Sequence, residues 1–478
     1  MTRGKKSVEF AAPRHPQKRS LKILILGAGQ VGASVAESLV SEKNDVTVVD
    51  TDAERLKDLQ NQFDLRTVAG NAAQPELLAE AGAADTDMLF AVTASDETNL
   101  VACKVGKTAF NIPTRIARLR SSWFQNHPEL LAEDCFAVSH AICPEQIVTE
   151  YIEKLIEFPE ALQVAEFAGG KIDLVAVRAV EGGPMVRHPV ADLVDLLPTI
   201  DVKIAAIYRN DRPLELTAQT VVQAGDEVFF VAASAHIREV MAEMRHMDRP
   251  VRRVIVAGGG NIGLRLARAI ESRLNVKVIE RAKRRCEFLA GQLGSTLVLN
   301  GDASNEDILS DENVDETDLF VAVTNDDENN IMSALLAKRM GARRVIALVN
   351  RRAYGDLMQG GQIDIAISPA HATLGSLLEY VRRGDVAAVH SLRRGRAEAI
   401  ELVAHGDRKS SRVVGRAIRE LDLPPGATVV GIIRRGEAIV AQRDDHVIET
   451  DDHLVVFLTQ RRMIPKIEKL FEVSVGFF

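Results

Sequence analysis

Two glycine-rich loops hold the residues of this sequence that are best suited to bind a phosphorylated ligand. The first spans 27–32 and reads GAGQVG, and the second spans 258–263 and reads GGGNIG. Each follows a run of β-branched and leucine residues, so each predicts a strand that turns directly into a helix. In such a turn the glycines allow the tight bend, the approach of the backbone to a pyrophosphate, and the close packing of helix on strand. The two loops therefore predict two nucleotide-binding sites in one chain.

A carboxylate follows each loop at about the ~20-residue distance at which ribose hydroxyls are bound. Asp50 ends the predicted strand DVTVVD, and Glu280 ends the strand NVKVIE. Thr51 and Asp52 after the first carboxylate offer no cation for a 2′-phosphate, which favours NAD(H) over NADP(H) at the first site. The second carboxylate is followed by a cationic cluster, namely Arg281, Lys283, Arg284 and Arg285. This cluster indicates either a solvated helix start or a site for a different nucleotide with extra phosphates.

Matching segments after each loop show that the chain is an internal duplication. VAGNAAQPELLAEAG (68–82) matches LNGDASNEDILSDEN (299–313), and MLFAVTASDETNLVA (88–102) matches LFVAVTNDDENNIMS (319–333). An internal repeat of this length is stronger evidence for the architecture than any single motif. The repeat contains alternating strands and helices, which predicts a doubly wound parallel sheet with helices on both faces.

The later strands of each repeat are predicted from apolar runs bounded by turn residues. They are strand four, ending at Thr93 or Thr324, strand five over 114–119 or 344–349, and strand six over 136–142 or 363–368. Aligning the I-A pairs of strand five places Leu348 opposite Arg118. Arg118 is positioned to reach a phosphate over the first loop, whereas the second site lacks this anchor and is expected to bind more weakly or not at all.

Between and after these repeats the sequence changes to short alternating strands separated by Gly, Pro and Asp turns. Examples are KIDLVAVRAV and DEVFFVAAS in the first half and EAIELVAH and DHLVVFL in the second. The fold class is therefore α/β, with two Rossmann-like parallel-sheet domains that alternate with two small α+β domains. We expect a disordered basic tail over 1–20, nucleotide-binding domains over 21–158 and 252–383, and small domains over 159–247 and 384–473.

The helix that follows strand six carries a broad apolar stripe in the segment PEQIVTEYIEKLIEF. The stripe consists of Ile147, Val148, Tyr151, Ile152, Leu155 and Ile156, which recur at helical spacing. Such a stripe either closes its own domain or meets a partner, and we favour the partner. The helices at 144–158 and 369–383 are therefore candidates for a hinge that joins subunits, and Asp at position 152 is expected to disperse the oligomer.

Composition excludes several other classes of protein. The 478-residue chain is 46% hydrophobic and 26% charged, with no apolar run near the length of a membrane span. A net charge of −8 with one Trp and four Tyr argues against a nucleic-acid-binding surface. The four cysteines, Cys103, Cys135, Cys143 and Cys286, show no metal-type spacing and are expected to be buried in a reducing cytoplasm. The set Cys135, His140 and Cys143 lacks an evident fourth ligand, so we expect no metal.

Residues for catalysis are not evident beside the predicted sites. Tyr151 and Lys154 are three residues apart, whereas the pair of short-chain dehydrogenases is four apart, and no nucleophile-elbow or P-loop motif is present. Carboxylates after strand four, such as Asp96 and Asp327, start helices, where the helix dipole favours them without any chemistry. We therefore expect a binding protein rather than an enzyme, with an NAD-dependent oxidoreductase acting on a small molecule as the alternative.

The order of these motifs resembles the RCK (regulator of K⁺ conductance) or KTN domain family. The resemblance rests on GAGQVG, the aspartate that ends strand two, GNA at 70–72, AVTASDETN at 91–99 and ARL at 117–119, and the small domain resembles the C-terminal lobe of that family. It covers residues 21 to about 473. It implies a cytoplasmic dimer or tetramer ring, peripheral on the inner face of the cell membrane, that binds NAD(H), with ATP or ADP as further ligands, and regulates a potassium transporter of the TrkH/TrkG type.

The resemblance also implies which residues contact the nucleotide. In the first half they are Gly27, Ala28, Gly29, Gln30, Val31, Gly32, Asp50, Asn71, Ala72, Thr93, Ala94 and Arg118. In the second half they are Gly258, Gly259, Gly260, Asn261, Ile262, Gly263, Glu280, Asp302, Ala303, Thr324 and Asn325. No catalytic residue is implied.

Overall fold

The computed structural model describes residues 20–42, 44–245, 249–351, 354, 362–381 and 386–473. The basic tail predicted over 1–20 lies outside the described residues except for Ser20. The chain divides into two compact units, the first ending at Ala141 and the second beginning at Ile142. Each unit has its own buried cores and is described by itself.

The first unit is built on a parallel sheet that alternates with helices. Its elements are β1 (Lys22–Leu26), α1 (Gln30–Ser41), β2 (Asp45–Asp50), α2 (Ala53–Gln62), β3 (Arg66–Ala69), α3 (Pro75–Glu80), β4 (Met88–Ala91), α4 (Asp96–Phe110), β5 (Thr114–Arg118), α5 (Ser122–Gln125) and β6 (His140–Ile142). The strand order is β3-β2-β1-β4-β5-β6. The order reverses between β1 and β4, so the carboxyl ends of these two strands lie at the point where such sheets bind ligands.

The second unit begins with a helix and a small antiparallel sheet. Its elements are α6 (Pro144–Glu157), β7 (Ala161–Phe167), β8 (Ile172–Arg178), α7 (Leu193–Leu196), β9 (Val202–Arg209), β10 (Arg212–Pro213), β11 (Glu227–Ala233) and α8 (Ile237–Met244). The strand order is β10-β9-β11-β8-β7. Asn210 and Asp211 form the β9–β10 hairpin turn with positive φ, as is typical of two-residue turns between antiparallel strands.

A second parallel sheet repeats the topology of the first. Its elements are β12 (Arg253–Ala257), α9 (Asn261–Ile270), β13 (Asn275–Glu280), α10 (Lys283–Gln292), β14 (Leu297–Asn300), α11 (Glu306–Asp311), β15 (Leu319–Ala322), α12 (Asp327–Arg339), β16 (Arg344–Leu348), β17 (Ile365–Ile367) and α13 (Pro369–Val381). The strand order is β14-β13-β12-β15-β16-β17.

The chain ends in a second small antiparallel sheet. Its elements are β18 (Val386–Leu392), β19 (Ala397–Val403), β20 (Ala427–Arg434), β21 (Glu437–Val440), β22 (His453–Leu458) and α14 (Ile464–Phe471), in the strand order β18-β19-β22-β20-β21. The predicted fold class, two Rossmann-like domains alternating with two small α+β domains, is confirmed. No helix in the described part of the chain has both the length and the hydropathy needed to cross a bilayer.

Strand six is shorter than predicted in both repeats. Instead of starting at Phe136, β6 starts at His140, because Ala137 adopts a positive φ of 56°. The amides of Phe136 and Val138 donate to the carbonyls of Leu130 and Leu131 in the preceding turn, so these residues are unavailable to the sheet. The prediction that strand six starts at residue 136 was therefore wrong.

The apolar stripe of α6 is covered within this chain. Helix α6 packs against α9 and α13 of the second parallel-sheet domain. Ile152 is fully buried in a core cluster that also contains Leu266 and Ile346. The stripe was predicted to join subunits, whereas the structure buries it against another domain of the same chain. A second copy of the chain is not needed to bury it.

The two small sheets also share one core. Phe229 of the first sheet lies 5.2 Å from Phe457 of the second, measured between ring centroids, and the surrounding cluster draws residues from β7, β8, β11, β18, β19 and β22. The two halves of the duplication are therefore joined by apolar burial as well as by sequence.

Candidate nucleotide-binding clefts

The first glycine loop joins β1 to α1, and two of its glycines are required by the fold. Gly27 has φ of +108°, and its amide donates to the carbonyl of Val49 on β2 at 2.7 Å. A Cβ on Gly32 would lie 1.9 Å from the Gly27 carbonyl oxygen, so only glycine lets the helix start this close to the strand. Gly29 differs, because a Cβ there would meet nothing within 4 Å. The second glycine therefore leaves open space for a ligand at the helix N-terminus.

The second loop, between β12 and α9, has the same geometry. Gly258 has φ of +107°, a Cβ on Gly263 would lie 1.9 Å from the Gly258 carbonyl oxygen, and Gly260 faces open space. Both loops thus leave a gap at the same point, in front of the first free amides of a helix. A pyrophosphate fits this arrangement in size and charge.

The remaining predicted loop residues occupy two environments. Ala28 and Val31 are buried and Gln30 is exposed in the first loop, while in the second Gly259 is buried, Asn261 is exposed and Ile262 is half-buried. The polar first residue of each helix is thus on the open side.

The carboxylates that end the second strands bind the loops directly. An Asp50 oxygen accepts from the Ala28 amide at 2.5 Å, and its other oxygen accepts from the Asp52 amide at 2.8 Å. Glu280 accepts from the Gly259 amide at 2.9 Å and from the Ala282 amide at 2.8 Å. Each carboxylate is therefore held beside its loop by two backbone donors, where its remaining lone pairs can accept from ribose hydroxyls.

The residues that end the third strands form polar turns. Asn71 accepts from the Ala73 amide at 2.9 Å. Asp302 accepts from the amide of Ser304 at 2.9 Å and from its hydroxyl at 2.7 Å, and these bonds lower the pKa of Asp302. The neighbours Ala72 and Ala303 are buried. The backbone of each turn is thereby fixed at the carboxyl end of the sheet.

Thr93 and Thr324 at the ends of the fourth strands are held by asparagines that the sequence analysis did not assign to the sites. Asn99, which is fully buried, accepts from the Thr93 hydroxyl at 2.7 Å and donates to the Arg118 carbonyl at 2.8 Å. Asn330 accepts from the Thr324 hydroxyl at 2.7 Å and donates to the Leu348 carbonyl at 2.9 Å. These bridges fix strand four to strand five.

The sequence does contain a signal for these asparagines, because the Thr–Asn spacing is the same in both repeats. A polar side chain that recurs on the inner face of a helix must form a hydrogen bond there.

Two helix-start carboxylates fix the loops that follow strand five. Asp96 accepts from the amides of Arg120 and Ser121, at 2.9–3.0 Å. Asp327 accepts from the amides of Asn350 at 2.9 Å and Arg351 at 2.7 Å. The prediction that these carboxylates start helices is confirmed, and they also define the rim of each cleft.

Arg118 ends β5 and is half-buried, whereas Leu348 at the matching place on β16 is buried and apolar. Ala94 and Asn325, the residues after the two threonines, are exposed. All of the predicted contact positions thus lie at the loops, turns and strand ends of the carboxyl edge of their own sheet. The difference at Arg118 and Leu348 makes the two clefts chemically unequal.

No group of three His, Cys, Asp or Glu side chains in the described ranges is arranged to hold a metal ion. The four cysteines are free thiols. Cys103 and Cys143 are buried as expected, while Cys135 and Cys286 are only half-buried. Burial raises the pKa of the Cys103 thiol to about 12, so it stays protonated.

Two family models match the chain, each of them twice. The TrkA-N domain matches residues 23–142 and 254–369, and the TrkA-C domain matches 174–245 and 408–472. Proteins described as Trk system potassium uptake protein TrkA are 52% identical in Vibrio alginolyticus and in Halomonas elongata, and 46% identical in Haemophilus influenzae. Each alignment covers 96% of this chain and 100% of the relative.

Solved structures show the same fold at low sequence identity. The crystal structure of the GsuK RCK domain matches with a TM-score of 0.59 and 15% identity over 96% of both chains. The GsuK channel bound to NAD matches with a TM-score of 0.59 and 16% identity over 95% of this chain and 80% of that one.

Proposed function

Since the chain belongs to the TrkA family of Trk system potassium uptake proteins, we propose that it is the nucleotide-binding regulatory subunit of a Trk-type potassium uptake system. In this role the chain lies in the cytoplasm, at the inner face of the membrane, and acts on a membrane K⁺ transporter of the TrkH/TrkG type. The first cleft takes NAD(H), and ATP or ADP are further candidate ligands.

The observation that carries this proposal is the paired gap at Gly29 and Gly260. In each half, a helix of at least ten residues directs its free amides into open space, beside a carboxylate that is held by the loop. This is a receptor for a pyrophosphate with an attached ribose. A relative in structure is described as bound to NAD.

Regulation then requires that a nucleotide prefer one conformation of the protein over another. A ligand shifts such an equilibrium only by its difference in affinity for the two states. A coupling of about 1–3 kcal/mol corresponds to a change in affinity of about 5- to 150-fold. The bridges from Asn99 and Asn330 are suited to carry this coupling, because each ties the strand end at the cleft to the next strand.

The assembly expected from the resemblance is a ring of two or four chains, and this is part of the proposal. The internal pairing of the small sheets gives each chain two similar halves. Copies of such a chain can close a ring through further surfaces.

The decisive experiment places one carboxylate in each gap. Gly29→Asp and Gly260→Asp each add a side chain where nothing lies within 4 Å at a φ of −68° or −65°, so folding is preserved while a pyrophosphate is repelled. In a calorimetric titration of the full-length chain with NADH, the Gly29→Asp variant is expected to lose binding at the first cleft, whereas Gly260→Asp is expected to keep it. Gly291→Asp is the control, because that glycine also faces open space but lies outside the loops.

The functional readout is growth at limiting potassium of a strain that lacks this chain, complemented with each variant. Wild-type and Gly291→Asp are expected to restore growth, and Gly29→Asp to restore it poorly. Normal growth without the chain would overturn the proposal. Consumption of NADH with a small carbonyl compound by the purified chain would favour the oxidoreductase instead.

A further inference from the structure

The two clefts differ most at their ribose edges. Residues 50–55 carry three carboxylates and one guanidinium, whereas residues 280–285 carry one carboxylate and four cations. The comparison is position by position, because both segments start at the last residue of the second strand and enter the next helix three residues later. The edge of the first cleft is thus acidic, and the edge of the second is basic.

Helix α2 in the first half has a self-contained start. Asp52 caps it by accepting from the amides of Glu54 and Arg55 at 3.1 and 3.2 Å. The Arg55 guanidinium turns back to the same aspartate, with Nε 3.1 Å from its carboxylate. The opposite charges of Asp52 and Arg55 neutralise each other, so no ligand anion is needed to stabilise this helix start.

The start of helix α10 in the second half lacks both the acidic cap and the charge balance of α2. Ala282 stands at the cap position and accepts no hydrogen bond through its side chain, and the first turn contains no acidic residue. Lys283, Arg284 and Arg285 fill that turn. Cations at the positive end of a helix dipole are unfavourable in the absence of a counter-ion. This arrangement costs stability in the free protein and is relieved by an anion.

The cluster is attached to the nucleotide cleft itself. The Arg285 Nε donates to the carbonyl of Gly259 in the glycine loop at 2.7 Å, and its guanidinium lies over the Phe288 ring at 4.7 Å. Arg281, immediately after Glu280, has its Nε 3.7 Å from Asp302. Arg281 thus contacts the turn after the third strand and Arg285 contacts the glycine loop, while Lys283 and Arg284 are exposed.

We infer that the second cleft selects adenine dinucleotides that carry a phosphate on the 2′-oxygen of the ribose, with NADP(H) as the ligand class, while the first selects NAD(H). The pyrophosphate occupies the gap at Gly260, and the 2′-phosphate meets the cations of the α10 start. Glu280 is compatible with this ligand, because each of its oxygens accepts one backbone amide bond and keeps a lone pair for the other ribose hydroxyl. The inference rests on the proposed nucleotide-binding function.

The test uses the full-length chain with Gly29→Asp, which leaves the second cleft open. Titration with NADPH and NADH, followed by their own fluorescence, is expected to show NADPH binding about tenfold tighter at low ionic strength, the gain of one charge-assisted contact. The ratio should fall toward one as salt screens the cations. Adding Gly260→Asp should remove the remaining binding.

A second variant in the same background gives α10 the residues of α2: Ala282→Asp, Lys283→Ala and Arg284→Glu. It should bind NADH as before and lose the preference for NADPH. The control is Lys466→Glu with Lys469→Glu on the last helix, which makes the same change in net charge and should leave the preference intact.

The outcomes separate the inference from the function on which it rests. Equal binding of NADH and NADPH by the Gly29→Asp chain overturns the selectivity alone. Binding of neither by that chain, when wild-type binds NADH, shows an empty second cleft and overturns the inference but not the first site. Binding of neither by wild-type overturns the nucleotide-binding function itself.

Discussion

At the scale of single residues, the three glycines of the first loop have separate roles. Gly27 supplies a left-handed backbone, Gly32 supplies contact between helix and strand, and Gly29 supplies space. The sequence motif does not distinguish these roles, but the contacts that a Cβ atom would make at each glycine do distinguish them. The structural and ligand-binding parts of the motif can therefore be tested independently.

Gly32→Ala is expected to destabilise the first unit by about 2–3 kcal/mol, because the new methyl group would overlap a backbone carbonyl that cannot move freely. Thermal and chemical unfolding would measure this loss. Gly29→Ala is the matched control and should change stability by less than about 1 kcal/mol. Equal stability of the two variants would contradict the assignment of roles.

A buried carboxyl group outside the clefts is expected to make the stability of the fold depend on pH. Asp173 on β8 is fully buried, and burial raises its pKa to about 6, above the usual value near ~3.9. Because the folded pKa is raised, the neutral form is favoured, and stability falls as pH rises through the interval from about 4 to 6. Glu398, at the matching place on β19, is also fully buried but lies 3.3 Å from the Nε of Arg461.

Asp173→Asn is therefore expected to raise the melting temperature at pH 8, and the gain should shrink as the pH is lowered through 6. Glu398→Gln should lower the melting temperature at pH 8, because it removes the carboxylate that lies beside the Arg461 guanidinium. Differential scanning calorimetry between about pH 4 and 8 would measure both, since this range spans the interval in which Asp173 titrates. A gain for Asp173→Asn that is independent of pH would contradict the titration of this group.

At the scale of elements, α6 is the helix whose role changed most between sequence and structure. Its stripe predicted a contact with a partner, and the helix packs on α9 and α13 of the same chain. A charged residue in this stripe should therefore damage the fold and not simply separate subunits, as the sequence had suggested.

Ile152→Asp should destabilise the second unit by about 4 kcal/mol or more, since it buries a carboxylate among apolar side chains. Urea denaturation, and the yield of folded chain, would measure this. Glu150→Ala on the exposed face of the same helix is the control and should have little effect. A stable Ile152→Asp chain of reduced mass in light scattering would restore the earlier view of α6 as a subunit contact.

At the scale of the whole molecule, the two small domains pair asymmetrically. Arg393 follows β18 and Ala168 follows β7 at the matching place, both with positive φ. The buried Arg393 guanidinium binds Glu227 and Asp211 of the first small domain and lies 3.8 Å from the Tyr208 ring centroid. Because only one half carries this arginine, the contact specifies that a first small domain pairs with a second one.

Arg393→Ala is expected to lower the stability of the second unit by about 3–5 kcal/mol, because Glu227 would be left half-buried without its cation. It should also make the mass in light scattering depend on concentration, as small domains exchange between chains. Arg396→Ala, an exposed arginine close by, is the control. Unchanged stability of Arg393→Ala would show that apolar packing alone determines the pairing.

Features that depend on local pattern could be predicted from the sequence. The glycine loops, the strand-end carboxylates, the duplication and the alternation of parallel and antiparallel domains are all encoded in short segments, because backbone bends and amphipathic periods are local properties. Family resemblance added the expected function. The inequality of the clefts was visible in part, from Leu348 opposite Arg118 and from the cations after Glu280.

Which surfaces pack together became clear from the folded chain. The stripe on α6 specifies burial but not the partner, since apolar attraction has no direction. Strand six is shortened because its first residues instead donate to the carbonyls of Leu130 and Leu131 in the preceding turn. The bridges from Asn99 and Asn330, and the contact of Arg285 with Gly259, join residues far apart in sequence. Such contacts could not be predicted from the sequence, because the donor and the acceptor lie in different segments that only the fold brings together.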